Sequence, residues 1–390
     1  MRPTKAFLIF FLSLLITLQA VCLEETPQHP ASLPEAQLEP VPKGGYEIVV
    51  SFGGDCTLGS EDSKREEETS FIQYILREGY DYPFANMKEM FEKDDLTVVN
   101  FEGVLAETPV GKVPKTYNFR APLDFAKILP MSGVEAVTLG NNHSGDYGQP
   151  GFNSTVKALD EAGVNWFVDC PQGNKVYVYE KDGIKIGFLG FYIGYWRAER
   201  ARIKQSLKEL KEQGCATIVA VMHGGSEYSQ RHDLSQRKMA MSCIEEGASV
   251  VIGHHPHVLQ GLERVEDATI VYSLGNFVFG GNWRVKPMAD TALLTQVRFL
   301  FDKDKQYMGH QMTLYPIHPS GTFTNINNFQ PVFAKGSEAQ RIMDILQSDT
   351  QSFVLSPYIE GKGALQVFVP ATRSIAPPDH MDVHIRIETI

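Results

Sequence analysis

From residue 46 onward the chain alternates between apolar, β-branched runs of five to seven residues and stretches with helical spacing. This alternation constrains the fold more than any other feature. Short Val- and Ile-rich runs separated by helical segments are strands joined by crossover helices, and such strands lie parallel. Strands are expected at residues 46–52, 96–101, 134–139, 164–168, 216–222, 248–252 and 269–274. Helices are expected over 83–93, 151–161, 200–213 and 234–246, with Gly163, Gly214 and Gly247 as stops. Residues 176–179 and 184–191 flank Lys181-Asp182-Gly183, the sequence of a tight hairpin, which inserts an antiparallel ribbon into the alternation. Further strands are expected at 293–301 and 311–317, with a loop over 322–335.

The chemistry follows the strands. In a parallel sheet the carboxyl ends lie along one edge, where open α/β folds build ligand sites. Asp55 follows Gly53-Gly54, and Glu102 closes Asn100-Phe101-Glu102. Gly140 leads into Asn141, Asn142 and His143; His223 follows Met222, with Glu227 four residues on. Gly253 leads into His254, His255, Pro256 and His257, and Gly275-Asn276 follows Leu274. The chain has 11 His in 390 residues, so three within four positions form a concentrated cluster. Each residue alone has an ordinary role open to it: a cap for Asp55, turns for the Asn pair, core hydrogen bonds for His143 and His223, an outward-facing neighbour for His254. Together, carboxylate, amide oxygen and imidazole without thiolate form a mixed oxygen and nitrogen set that suits Mn, Fe or Zn rather than a lone calcium or magnesium. The donors suffice for one ion or for two sharing a carboxylate, an arrangement that activates water and clamps a phosphoryl group. Cys56, Cys170, Cys215 and Cys243 lack paired zinc spacing, and a disulfide between two of them stays open.

Charge narrows the partners. Lys and Arg number 36 against 47 Asp and Glu, a net of −11, which argues against nucleic acid because phosphate backbones are bound by clustered cations. At the N-terminus, Arg2 and Lys5 precede an apolar stretch from Ala6 to Leu18, so residues 1–22 read as a signal peptide or an N-terminal anchor. Residues 23–44, rich in Pro and Glu, read as an extended linker, residues 45–320 as the folded domain, and 321–390 as a C-terminal extension, packed on that domain or separate. Export follows, to the extracellular space or the cell envelope.

The order Gly-Asp, Asn-Phe-Glu, Asn-Asn-His-Ser, His-Gly-Gly-Ser-Glu-Tyr, Gly-His-His-Pro-His and Ser-Leu-Gly-Asn-Phe, over residues 46 to about 300, resembles the bacterial CapA family of capsule synthesis proteins from poly-γ-glutamate producers. That family is similar in motif order to the calcineurin-like metallophosphoesterases. The resemblance implies an α/β four-layer sandwich, two mixed β-sheets flanked by helices, with a dinuclear metal centre. It makes Asp55 the opening ligand, Glu102 the bridging carboxylate, Asn142 the amide ligand and His143 the imidazole that protonates the leaving group. His223 is then the lone ligand histidine and His255 with His257 the terminal pair, with Glu227, His254 and Asn276 in support. Three positions depart from these patterns: Thr57 stands where metallophosphoesterases have His, Glu102 replaces a shorter Asp, and Gly224 stands where the CapA family often has Trp. Two functions follow. One is an exported metal-dependent hydrolase acting on an anionic polymer or phosphoester; the other is a non-catalytic polyanion-binding component of a membrane-bound capsule synthesis and export assembly, with Arg197, Arg200 and Arg202 as basic groups.

Overall fold

The apolar runs become strands buried on both faces, which is why they read as nearly continuous hydrophobic sequence. In a computed structural model, residues 36–372 are described, apart from residues 283, 286–288, 323–325 and the side chains of 195–199. The expected targeting segment at 1–22 lies outside the described residues. In chain order the principal elements are β1 (Tyr46–Thr57), α1 (Phe71–Glu78), β2 (Leu96–Phe101), β3 (Ala136–Thr138), α2 (Gly148–Glu161), β4 (Asn165–Cys170), β5 (Tyr177–Lys181), β6 (Ile184–Tyr192) and α3 (Ile193–Glu212). They continue with β7 (Thr217–His223), α4 (Leu234–Glu245), β8 (Val250–His254), β9 (Leu259–Val265), β10 (Ala268–Leu274), β11 (Asn276–Phe279), β12 (Ala292–Phe301), β13 (Tyr307–His318) and α5 (Gly336–Asp349).

The first sheet runs β13-β12-β1-β2-β3-β4, parallel from β1 onward and antiparallel at the β12 and β13 edge. The second runs β5-β6-β7-β8-β10-β9, with a parallel centre and an antiparallel hairpin at each edge. β4 joins them: Asn165, Trp166 and Phe167 pair with β3, while Asp169 pairs with Phe191 of β6. The alternation of side chains along each strand builds the layers. Val98, Val221 and Ile252 share one apolar core between the sheets. Their neighbours Val99 and Val137 pack under Phe71 and Ile75 of α1 and Leu159 of α2, while Ala220 and Val251 pack under Leu207 of α3 and Met239 of α4. Helices, sheet, sheet and helices thus form the expected four layers.

Several expectations are corrected. The hairpin turn at Asp182 and Gly183 has the left-handed backbone that Asp-Gly supports and β5 pairs antiparallel with β6, as expected; beyond the ribbon, β6 also enters the centre of the second sheet, parallel to β7. The helix expected over 83–93 shrinks to Lys88–Phe91, because Phe84, Met87 and Phe91 bury with helix-like spacing from a backbone of successive turns. The domain does not stop at residue 320. Ile342, Met343 and Leu346 of α5 complete the core between the sheets, and β13 pairs with residues 364–365 and 369–370. The end of the expected linker is docked too: Glu39 N donates to Gln311 Oε1 at 2.9 Å. Among the described residues no helix is long and apolar enough to cross a membrane.

Candidate metal centre

β1 reaches the site through a bulge. It pairs with β2 from Val50 to Phe52 and resumes at Asp55 opposite Asn100, with one residue more than its partner between these points. Gly53 and Gly54 occupy the irregularity for a steric reason: a Cβ on Gly53 would strike the Phe277 ring, and one on Gly54 the Gly275 carbonyl. On the second sheet, His223 closes β7 in register with His254, the last residue of β8. The chain then adopts left-handed backbone at His255 (φ 98°) and His257 (φ 58°), costly for residues with a Cβ and sustained only where the surroundings fix them. One such restraint is the His255 backbone N–H, which donates to Asp55 Oδ2 at 3.3 Å.

These strand ends meet. Donor atoms of Asp55, Glu102 and His223 lie within 4.8 Å of one another, as do those of Glu102, His255 and His257, so Glu102 belongs to both groups. Its two carboxylate oxygens are buried without a hydrogen-bond donor; the nearest imidazole nitrogens are His223 Nε2 at 3.5 Å and His143 Nε2 at 3.8 Å. Leaving a buried charge uncompensated costs several kcal/mol, roughly 3–5. A cation between the two groups would satisfy it, and the mixed donor set fits a divalent transition metal.

Around this carboxylate several polar groups are paired, while Thr57 Oγ1, His254 Nδ1 and His255 Nδ1 are buried without a hydrogen-bond partner. Asn100 Nδ2 donates to Asp55 Oδ1 at 2.8 Å and lies 3.1 Å from His223 Nδ1; Asn141 Nδ2 donates to Asn100 Oδ1 at 2.9 Å. His223 Nε2 is 2.8 Å from Asn142 Oδ1. His257 Nδ1 is 2.9 Å from Asn276 Oδ1 and 3.2 Å from Asp55 Oδ2, two acceptors that together place its proton there and leave Nε2 as the free donor atom. His143 Nδ1 is 2.8 Å from Asp146 Oδ2, and Lys115 Nζ bonds Asp146 Oδ1 at 2.6 Å.

The titration shifts point the same way. Burial and the Asp55 charge push Glu102 well above the usual carboxylate range. Burial would also raise Asp55, but the imidazoles of His254 and His257 beside it, at 3.1 and 3.2 Å, hold it well below. Burial and the neighbouring His257 push His255 down to about 4. Burial opposes charge on His257 as well, yet the carboxylates of Glu102 and Asp55 lift it to about 9. Opposed shifts in adjacent groups mark a pocket with more negative charge than its protein partners neutralise, the condition a divalent ion meets.

The structure brings together Asp55, Glu102, Asn142, His143, His223, His254, His255, His257 and Asn276. His254 faces inward, its Nδ1 3.1 Å from Asp55 Oδ1, and holds that carboxylate rather than joining either donor group. Glu227 stays outside: it is exposed, at the mouth of a cavity of about 460 Å³ whose lining includes His143 and His257. Thr57, in place of the expected imidazole, has a buried hydroxyl without a partner. Of the basic groups, Arg202 pairs with Asp169, and the side chain of Arg197 lies outside the described residues. The four described cysteines are free and buried. Sequence reasoning passed over Asn100 and Lys115. Asn100 stands two residues before Glu102, the spacing of one strand face, a usable signal; Lys115 arrives from a loop and carries none.

Residues 49–281 match the family model described as bacterial capsule synthesis protein PGA_cap, a span that contains every residue of the donor cluster. The capsule biosynthesis protein CapA of Bacillus anthracis is 31% identical over 262 residues, covering 60% of this chain and 61% of that protein. The PGA biosynthesis protein CapA of Bacillus subtilis (strain 168) is 29% identical over 257 residues, covering 60% of this chain and 64% of that protein. The match therefore spans less than two thirds of either relative. Among solved structures, a hypothetical protein from Thermus thermophilus overlays with a TM-score of 0.40 at 15% identity, over 69% of this chain and 99% of that one, a likeness too loose to carry an argument.

Proposed function

Because the chain belongs to the bacterial capsule synthesis protein family, we propose that it acts in the synthesis or processing of poly-γ-glutamate or a related capsule polymer through a metal-dependent hydrolase site. The observation that carries this reading is the buried, unpartnered carboxylate of Glu102 between two donor groups. Asp55 and His223 would hold an ion on one side of it, His255 and His257 on the other, with Asn142 adding an amide oxygen. One or two ions of Mn, Fe or Zn would supply Lewis acidity and a nucleophile drawn from water near neutral pH. The chain's own groups do the rest. Asp146 engages His143 Nδ1, so the proton of a neutral ring sits there and Nε2 is the atom that gains and returns a proton at the cavity wall. Phe119 and Phe279 pack against the rings of His143 and His257, at 4.6 and 4.8 Å between centroids, and exclude water around them.

The bond addressed is a phosphoester or a γ-glutamyl amide, and the setting is the cell envelope, beside a membrane-bound capsule assembly. Thr57 favours a second reading, a polyanion-binding component without turnover, since a hydroxyl in place of an imidazole leaves one ligand fewer. The experiment is hydrolysis of a phosphodiester and of a γ-glutamyl substrate by the full chain, with and without chelator, beside His223→Ala. Turnover abolished by both treatments supports the hydrolase. Turnover unaffected by either rejects it, and polymer binding without any turnover favours the second reading.

A further inference from the structure

α5 lies beyond residues 49–281, the span that the family model matches, yet a chain of hydrogen bonds leads from its last residue to the turn that carries His255 and His257. That last residue is Asp349, at 1% exposure. It is a poor place for a carboxylate, because burial and the negative end of the helix dipole both oppose its charge. Three nitrogens offset this. Asp349 Oδ2 accepts from the backbone N–H of His232 at 3.1 Å and from that of Gly261 at 2.9 Å, and it lies 2.9 Å from His232 Nδ1. The His232 ring is in turn held flat on Tyr272, at 3.8 Å between centroids.

His232 stands near the end of the loop between β7 and α4, residues 224–233. Gln260 Nε2 ties the same loop down, through the Ser229 carbonyl at 2.8 Å and the Arg231 carbonyl at 3.1 Å. Further up the loop Tyr228, itself in left-handed backbone (φ 59°), donates its N–H to the Pro256 carbonyl at 2.8 Å. Pro256 lies between His255 and His257, whose own left-handed backbone persists only where neighbours over-determine it. Asp55 restrains that turn from the first sheet, and Tyr228 restrains it from the loop that Asp349 anchors.

We propose that Asp349 is a positioning residue of the metal centre: it fixes the loop 224–233, whose Tyr228 holds the turn that presents His255 and His257. The inference rests on the reading of the donor cluster as a metal site. Its test is calorimetric titration of manganese into the chelator-stripped full chain, for wild type, Asp349→Ala, Asp349→Asn and Ile342→Val. Ile342 belongs to the same helix but packs into the core between the sheets, away from the chain of bonds, so it controls for stability alone. Asp349→Ala is expected to lower the affinity about 10-fold, Asp349→Asn, which keeps an acceptor oxygen, about 3-fold, and Ile342→Val not at all. His232→Phe keeps a ring on Tyr272 and loses the Nδ1 contact; it serves where Asp349→Ala does not fold, with a loss of about 3-fold expected. Affinities equal to wild type in the Asp349 and His232 variants, or a loss in Ile342→Val as large as in Asp349→Ala, would overturn the proposal. Amide exchange of the metal-free chain reads the same link with no ion present: the Tyr228 and His255 amides should exchange about 10-fold faster in Asp349→Ala and at the wild-type rate in Ile342→Val. That exchange result in a chain that binds no manganese supports the role of Asp349 while removing the metal reading. Manganese binding with affinity and exchange unchanged in the Asp349 variants leaves the metal reading standing and overturns this one.

Discussion

Two fully buried titratable side chains, Glu102 and His310, sit in the same sandwich under opposite conditions. His310 Nε2 is 2.8 Å from Thr269 Oγ1 and its Nδ1 is 2.8 Å from the Tyr307 hydroxyl, so the ring is neutral and satisfied; burial pushes it down to about 3. Glu102 is equally buried and has no hydrogen-bond donor at all. Burial alone therefore says nothing about function. What separates the two is pairing: a group with its partners in place is part of the framework, and one without them is waiting for a ligand.

The largest expected effect breaks this contrast at Glu102. Glu102→Gln removes the uncompensated charge, so metal-free protein should gain about 1–3 kcal/mol in denaturant unfolding, while its affinity for manganese falls about 100-fold or more. A loss of stability in the metal-free variant would mean that Glu102 is framework after all. His310→Ala should do the reverse: it orphans Thr269 and Tyr307 and opens a cavity, costing about 2–4 kcal/mol with metal content unchanged. Asn276→Ala sharpens the comparison, because it removes the nearer of the two acceptors that fix the His257 tautomer, the other being Asp55. Metal affinity should drop about 10-fold to 100-fold with little change in unfolding.

Asp94 is the intermediate case. It is half-buried; one oxygen accepts from Thr97 Oγ1 at 2.8 Å while the other is buried without a donor, and burial raises it to about 7. A carboxyl whose folded value exceeds its unfolded one stabilises the fold while protonated, so this contribution is present at low pH and is lost as pH rises through about 7. Asp94→Asn should therefore leave stability near pH 4 unchanged and raise it by about 1 kcal/mol at pH 8, after discounting for solvent screening. Equal effects at both pH values would contradict the assignment.

Much of the donor set was legible because each donor follows an apolar run, and parallel strands share a carboxyl edge. Asp55, His223 and the residues 253–257 could be placed from local pattern alone. Other features depend on contacts distant in sequence. That β4 passes from one sheet to the other is visible only in the pairing of Asp169 with Phe191. That Glu227 stops at the mouth while His223 goes inside depends on how the loop between them folds, and nothing in its spacing encodes that. α5 was missed because its apolar positions, Ile342, Met343 and Leu346, follow a long irregular stretch.

The most direct measurement is the elemental content of the purified full chain beside that of Glu102→Gln. One or two divalent transition ions per chain in the wild type, lost in the variant, is the expected result. Wild-type protein without stoichiometric metal, or a variant with the same content, would contradict the claim that the strand ends converge on a cation.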